Sequence, residues 1–200
     1  MRGVFVTGTD TGVGKTVLSA ALLRRYPDAT YWKPIQTGTD DDTAEVRSLS
    51  GGQVIDKGIR LPDPVSPHLA AQRSGITIDL NKLIPPAGFC VVEGAGGVLV
   101  PINESQVMAD LMVKLGLPVI IATRTTLGTI NHTLLTIEAL RARSLTIAGV
   151  VMIGDRNSDN RAAIERHGKV SVLAEMPRFD PLTPECLQKW AESLPEDLIA

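Results

Sequence analysis

Cysteine is scarce. Cys90 and Cys186 are the two in 200 residues, and Cys90 sits in the apolar run Gly88-Phe89-Cys90-Val91-Val92. That setting points to a buried free thiol rather than a disulfide or a metal ligand, and a cytoplasmic location follows as the default. Histidine is also rare: His68, His132 and His167 share no metal-ligand spacing. There is no excess of one charge, with 20 Lys+Arg against 22 Asp+Glu and a net charge of −2, which excludes a generally basic nucleic-acid surface. No apolar run approaches the roughly 18 residues of a membrane span. The opening run Val4-Phe5-Val6 breaks at Thr7-Gly8, too early for a signal peptide. Internal repeats, low-complexity tracts and an Asn-Lys-x-Asp guanine reader are all missing. What remains is 44% hydrophobic and 21% charged residues, the balance of a soluble globular protein with ample length for a core.

Short apolar runs alternate with helical patterns. Val4–Val6, Thr30–Trp32, Phe89–Val92, Pro118–Ala122, Ile147–Ile153 and a weaker Val170–Leu173 read as strands. Most are continuous rather than alternating, so they are expected to be buried on both faces of a parallel sheet. Lys15–Tyr26 reads as a helix stopped by Pro27. Ile130, Leu134, Ile137 and Leu140 form one helical stripe that Thr129 or Asn131 is expected to cap. Asn160–His167 and Pro184–Leu194 read as further helices. Gly51–Gly88, rich in proline, reads as a crossover and surface elaboration with one helix over Ser66–Arg73. The expected fold is α/β, a doubly wound, mainly parallel sheet flanked by helices, in a single domain over residues 1–200.

The strongest motif is Gly8-Thr9-Asp10-Thr11-Gly12-Val13-Gly14-Lys15-Thr16. It follows a strand and opens a helix, the setting of a phosphate-binding loop of the P-loop NTPase type. Backbone N–H groups and the helix N-terminus favour phosphate oxygens. Lys15 is placed to reach the β- and γ-phosphates and the Thr16 hydroxyl to hold Mg²⁺. The first glycine, Gly8, comes one residue earlier than the generic pattern requires, where Thr9 stands.

Glu93 ends a buried strand and precedes Gly94-Ala95-Gly96-Gly97. A carboxylate there suits Mg²⁺, and the competing reading is a turn cap. Asp42, last of Asp40-Asp41-Asp42, is either a second Mg²⁺ carboxylate or part of a solvated acidic run. Lys33 ends the Thr30–Trp32 strand before Pro34 and faces the crevice, or is a plain strand-end lysine. Thr37 is a substrate contact or a turn hydroxyl.

Four segments taken together resemble the ATP-dependent dethiobiotin synthetase family: Thr7–Thr16, Lys33-Pro34-Ile35-Gln36-Thr37-Gly38, Val92–Gly97 and Leu127–Thr133, with Pro64-Val65-Ser66-Pro67-His68 as a fifth. The early Gly8 is what that family shows. The resemblance implies closure of a cyclic urea on 7,8-diaminononanoate (diaminopelargonate) with CO₂ and ATP, in biotin biosynthesis. It implies Lys15 and Lys33 as catalytic cations, and Thr16, Asp42 and Glu93 as Mg²⁺ ligands. Gly12, Val13, Gly14, Lys15, Thr16, Glu93, Gly94, Ala95 and Gly96 would surround the nucleotide phosphates. Gly154, Asp155, Pro177, Arg178 and Phe179 would lie at the base, while Thr11 and Thr37 position the diamine or its carbamate. Gly128, Thr129, Ile130 and Asn131 would hold the substrate's tail carboxylate across a homodimer, with no nucleic-acid or membrane partner. His132 reads as structural.

Three departures from the family stand out. Gly154-Asp155 replaces an Asn-Asp pair that reads adenine in some relatives, which leaves base choice open. Gly12 replaces an acidic residue, and Gly75–Gly88 is shorter than the usual helix. Rival readings are a P-loop small-metabolite kinase and a partitioning-type ATPase switch. The latter lacks its early lysine at Thr9, Asp10 and Thr11, and the tail's Glu185, Glu192, Glu196 and Asp197 against Lys189 disfavour a basic membrane helix.

Overall fold

The computed structural model describes residues 2–195 and 198; Met1, the tail acids Glu196 and Asp197, and residues 199–200 lie outside them. Seven strands form one sheet: β1 (Arg2–Gly8), β2 (Thr30–Trp32), β4 (Gln53–Ile55), β6 (Phe89–Gly97), β7 (Val119–Arg124), β8 (Ile147–Ile153) and β9 (Val172–Met176). Their order is β4-β2-β6-β1-β7-β8-β9, and every neighbouring pair is parallel. Two three-residue strands, β3 (Ile35–Thr37) and β5 (Ile59–Leu61), pair beside it.

The continuous apolar runs serve two cores at once. Alternate residues of one strand point to opposite faces. Val4, Val6, Val91, Ile120, Ala122 and Val151 join the core under α1 (Lys15–Arg25) and α7 (Pro184–Glu192). Phe5, Val92, Val119, Ile121, Val150 and Met152 join the core under α4 (Met108–Leu115), α5 (Thr129–Arg141) and α6 (Ser158–Gly168). This is the doubly wound arrangement the run pattern predicts. Because all seven strands run the same way, their carboxyl ends meet along one edge. Connections diverge at β1, which is where such sheets bind ligands.

Several sequence expectations are corrected. Gly51–Gly88 is more than an elaboration: it supplies edge strand β4 and β5, both too short to show a period. The last strand starts at Val172 rather than Val170, because Lys169 (φ 46°) carries the chain out of α6 in a left-handed turn. Helices α2 (Asp42–Ser50) and α4 went unpredicted, while α3 (Pro67–Arg73) sits where expected. Asp42 opens α2, and the Asp41 carboxylate caps it by accepting the Ala44 N–H at 2.9 Å. Neither Thr129 nor Asn131 caps α5. Gly128, at φ 94°, occupies that position, and the Thr129 hydroxyl instead donates to the Arg124 carbonyl at 2.5 Å. Cys90 is a buried free thiol, pushed up to about 12 by that burial.

Candidate active site

The loop between β1 and α1 sits at the sheet's divergence point. Gly8 is forced by space: a Cβ there would lie 2.8 Å from the Asp10 carbonyl oxygen and 2.7 Å from Val13. Val13 itself is buried in the core, so only its backbone faces the loop. Lys15 is 7% exposed, and its ammonium donates to the Asp10 carbonyl at 2.9 Å. Burial lowers its pKa, with Glu93 pulling the other way.

Glu93 pairs in register with Val6 on β1 and is fully buried. A buried carboxylate must be met by donors, a cation or a proton, and in the unliganded site donors meet it. Oε1 accepts from the Lys33 ammonium at 2.9 Å and the Thr16 hydroxyl at 3.1 Å. Oε2 accepts from the Ser19 hydroxyl at 2.9 Å and the Tyr31 hydroxyl at 3.0 Å. Lys33 also pairs with Asp42. Burial alone would lower the Lys33 pKa, but Glu93 and then Asp42 outweigh it and hold it above the usual lysine range. Burial, reinforced by Glu93, pushes the Tyr31 phenol well up.

A cavity of about 370 Å³ brings together Thr11, Gly12, Gly14, Lys15, Thr16, Lys33, Thr37, Asp42, Glu93, Ala95 and Gly96, eleven of the residues the sequence singles out. Gly94 lies beneath, packed on Phe5. Thr11 also borders a neighbouring cavity of about 410 Å³ with apolar walls at Val98, Leu99, Val100 and Leu135; His132 lines it too.

The other expected residues are placed apart. Gly154 follows β8 and donates its N–H to the Met176 carbonyl at 2.9 Å. With φ 138° and Thr125 Oγ1 only 2.5 Å from where a Cβ would stand, this position is built for glycine. Asp155, Pro177 and Arg178 are exposed, and Phe179 leans on the α1 side of the core. At the α5 start Gly128 and Asn131 are exposed, Ile130 is half-buried and Thr129 is buried. The Thr129 N–H is already given to the Thr126 carbonyl at 3.1 Å, which removes it from the expected set of free anion-binding N–H groups.

Four residues at the site escaped sequence reasoning. Ser19 falls one helical turn after Lys15, and Tyr31 is the hydroxyl-bearing member of an otherwise apolar strand; those were their signals. Gln36 lines the cavity on β3. Arg124, ending β7, straps the first half of the loop: Nη1 reaches Asp10 Oδ2 at 3.3 Å and Nη2 donates to the Thr11 carbonyl at 2.9 Å.

The sequence model of a family described as an AAA domain matches residues 2–186. The chain is 50% identical over 188 residues to the ATP-dependent dethiobiotin synthetase BioD of Paramagnetospirillum magneticum, covering 92% of this chain and 91% of that one. The same-named protein of Sphingopyxis alaskensis is 48% identical over 189 residues, 94% and 93% of the two chains. This chain belongs to the dethiobiotin synthetase family. The biotin biosynthesis bifunctional protein BioCD of Bordetella avium is 48% identical across 97% of this chain, which matches 43% of that longer protein. Solved structures share the fold alone. The cell division ATPase MinD of Pyrococcus furiosus aligns at TM-score 0.55 and 15% identity, over 96% of this chain and 97% of that one. A ParA family ATPase of Chlorobium tepidum aligns at 0.51 and 12%, over 99% and 96%.

The donor set of this dethiobiotin synthetase family member fits a hard divalent cation. Thr16, Asp42 and Glu93 offer only oxygen, and the Lys33 ammonium between the two carboxylates marks a position where positive charge is favoured. Among the described residues no group of three or more His, Cys, Asp or Glu side chains could enclose a metal alone. Two carboxylates and a hydroxyl suffice for Mg²⁺ beside a nucleotide, since phosphate and water oxygens complete its shell.

Proposed function

We propose that the chain converts 7,8-diaminononanoate, CO₂ and ATP into dethiobiotin, ADP and phosphate. One amine adds to CO₂ and loses a proton, giving a carbamate. A carbamate oxygen attacks the γ-phosphorus and ADP leaves, giving a carbamic-phosphoric anhydride. The second amine attacks the carbonyl carbon and loses a proton, the C–O bond to phosphate breaks, and the urea ring closes. No general base is assigned, since a free amine adds to CO₂ unaided.

The observation that carries this reading is that Lys15 and Lys33 line one cavity, with Glu93 bonded to Lys33 and acting electrostatically on Lys15. Carbamate and triphosphate are both anions, and bringing them together requires cations already in place. Lys15 leaves the Asp10 carbonyl to hold the terminal phosphates. Lys33, at the wall nearer Thr37, neutralises the carbamate. Thr11 and Thr37 orient the diamine, and the apolar cavity beyond Thr11 suits its alkyl chain. Bound Mg²⁺, held by Thr16, Asp42 and Glu93, would add charge at the phosphate oxygens. Gly12, Gly14, Ala95 and Gly96 let backbone approach the phosphates, while Gly154, Asp155 and the 177–179 loop face the base.

In a homodimer, the start of α5 (Gly128, Ile130 and Asn131) receives the tail carboxylate of the partner's substrate, as helix starts favour anions. Leu127 beside it is fully exposed, and Leu99 and Leu135 are more than half exposed, apolar surface that a second copy would cover. The chain acts as one domain in the cytoplasm; none of its described helices is long and apolar enough to cross a membrane.

Incubating the protein with diamine, bicarbonate, Mg²⁺ and ATP tests the reading. Dethiobiotin and free phosphate in equal amounts are expected. A stable phosphorylated product would indicate a kinase, and ATP hydrolysis indifferent to diamine would indicate a switch ATPase.

A further inference from the structure

Gln36 is 6% exposed, on β3 between Ile35 and Thr37. Ile35 packs into the core with Trp32 and Leu61; strand alternation turns Gln36 the other way, and it lines the cavity with Lys33 and Thr37. Its amide nitrogen donates to the Thr37 carbonyl at 3.2 Å. That bond settles which end of the amide is nitrogen. The other end, Oε1, is buried and has no hydrogen-bond partner among the described residues. Buried carbonyl oxygens are nearly always satisfied, because leaving one without a donor is costly. An acceptor kept bare beside a reaction cavity calls for a donor that arrives with a ligand.

The chemistry of the neighbours narrows that ligand. The cavity that Gln36 lines also carries Lys33, Thr37 and four acids; Asp42 and Glu93 are engaged with Lys33, while Asp40 and Glu45 add negative charge that favours a cationic or N–H-bearing ligand. Triphosphate oxygens, CO₂ and a carbamate oxygen bring acceptors, which the lysines and hydroxyls suit and which an amide oxygen repels. An ammonium brings donors alone, and a neutral amine can present its N–H while its single lone pair points elsewhere.

We propose that Gln36 is a specificity-determining residue whose Oε1 accepts an N–H from an amine of the diamine. It thereby fixes which end of the substrate enters beside Lys33 and turns away ligands that place oxygen there. This rests on the synthetase reading above.

Calorimetric titration of the full chain tests it, with the diamine in the absence of nucleotide and, separately, with a non-hydrolysable ATP analogue plus Mg²⁺. Gln36→Leu keeps the volume and removes the acceptor; Gln36→Glu keeps an acceptor. Gln36→Leu is expected to weaken diamine binding about tenfold and to leave analogue binding within about twofold. Gln36→Glu is expected to hold diamine affinity within about threefold of wild type. The unliganded Tm of Gln36→Leu is expected not to fall, since the bare oxygen is gone. Wild-type diamine affinity in Gln36→Leu would overturn the inference, as would equal weakening of both ligands with a lowered Tm, the mark of a structural amide. Wild-type protein that binds the analogue but no diamine would instead overturn the synthetase reading, and this inference with it.

Discussion

At the phosphate end of the crevice, Glu93 is fully buried and takes four side-chain donors, from Thr16, Ser19, Tyr31 and Lys33. At the end proposed to hold the base, Asp155 and Arg178 stand exposed and Gly154 offers no side chain at all. Charges at the first end act in a low-dielectric setting where each is strong and each must be matched. Charges at the second are screened by water and salt. In the proposed reaction the phosphate end would therefore carry the chemistry and tolerate little change, whereas the proposed base end would hold its ligand by backbone and loop shape.

The contrast breaks most visibly if the lysines are removed. Lys15→Ala and Lys33→Ala should each cut kcat by about two to three orders of magnitude, with the far-UV circular dichroism of the wild type retained. A Lys33→Ala enzyme turning over at the wild-type rate would take that residue out of the mechanism. Next in size, Tyr31→Phe removes one Glu93 donor while the ring stays. It should weaken Mg²⁺ by about tenfold, judged by the Mg²⁺ dependence of turnover, and lower stability by about 1–3 kcal/mol in urea melts. An unchanged Mg²⁺ dependence would show that the buried network is structural only. At the base end, Asp155→Ala and Arg178→Ala should each shift the KM for ATP less than about fivefold; a larger shift would erase the difference between the ends.

The smallest effect is expected at Cys90, which lines neither end. Its thiol stays protonated to about 12, whereas an unfolded cysteine ionises near 9.0. The folded state thus binds the extra proton between those values, so the contribution of Cys90 to stability is intact below pH 9 and declines as pH rises toward 12. In native protein at pH 8, a thiol reagent should label half-buried Cys186 well before Cys90. Rapid labelling of both would contradict that burial.

The phosphate end was also the more legible in sequence. Gly8–Thr16 is contiguous, and Glu93 announces itself as a charge after buried Cys90, Val91 and Val92. Asp42 was one of three equivalent acids until α2 turned it toward Lys33. Ser19 and Tyr31 carry no motif, and Gln36 lies in the Lys33–Gly38 segment with nothing there to single it out, because what selects all three is a through-space meeting of α1, β2, β3 and β6. Arg124 was invisible for the same reason: its partners Asp10 and Thr11 lie more than a hundred residues away. Three-residue strands such as β3 and β4 are shorter than any period, and they are recognised only by the neighbour that pairs with them. The α5 cap was misjudged because Gly128 takes the left-handed turn and Thr129 is drawn inward to Arg124.

Following a labelled oxygen atom tests the central claim most directly. In a single turnover started with ¹⁸O-labelled CO₂, diamine and Mg–ATP, attack of the carbamate oxygen on the γ-phosphorus and later C–O cleavage carry a carbamate oxygen into the released phosphate. Phosphate bearing a single ¹⁸O alongside dethiobiotin is the expected result; dethiobiotin accompanied by unlabelled phosphate would contradict the account.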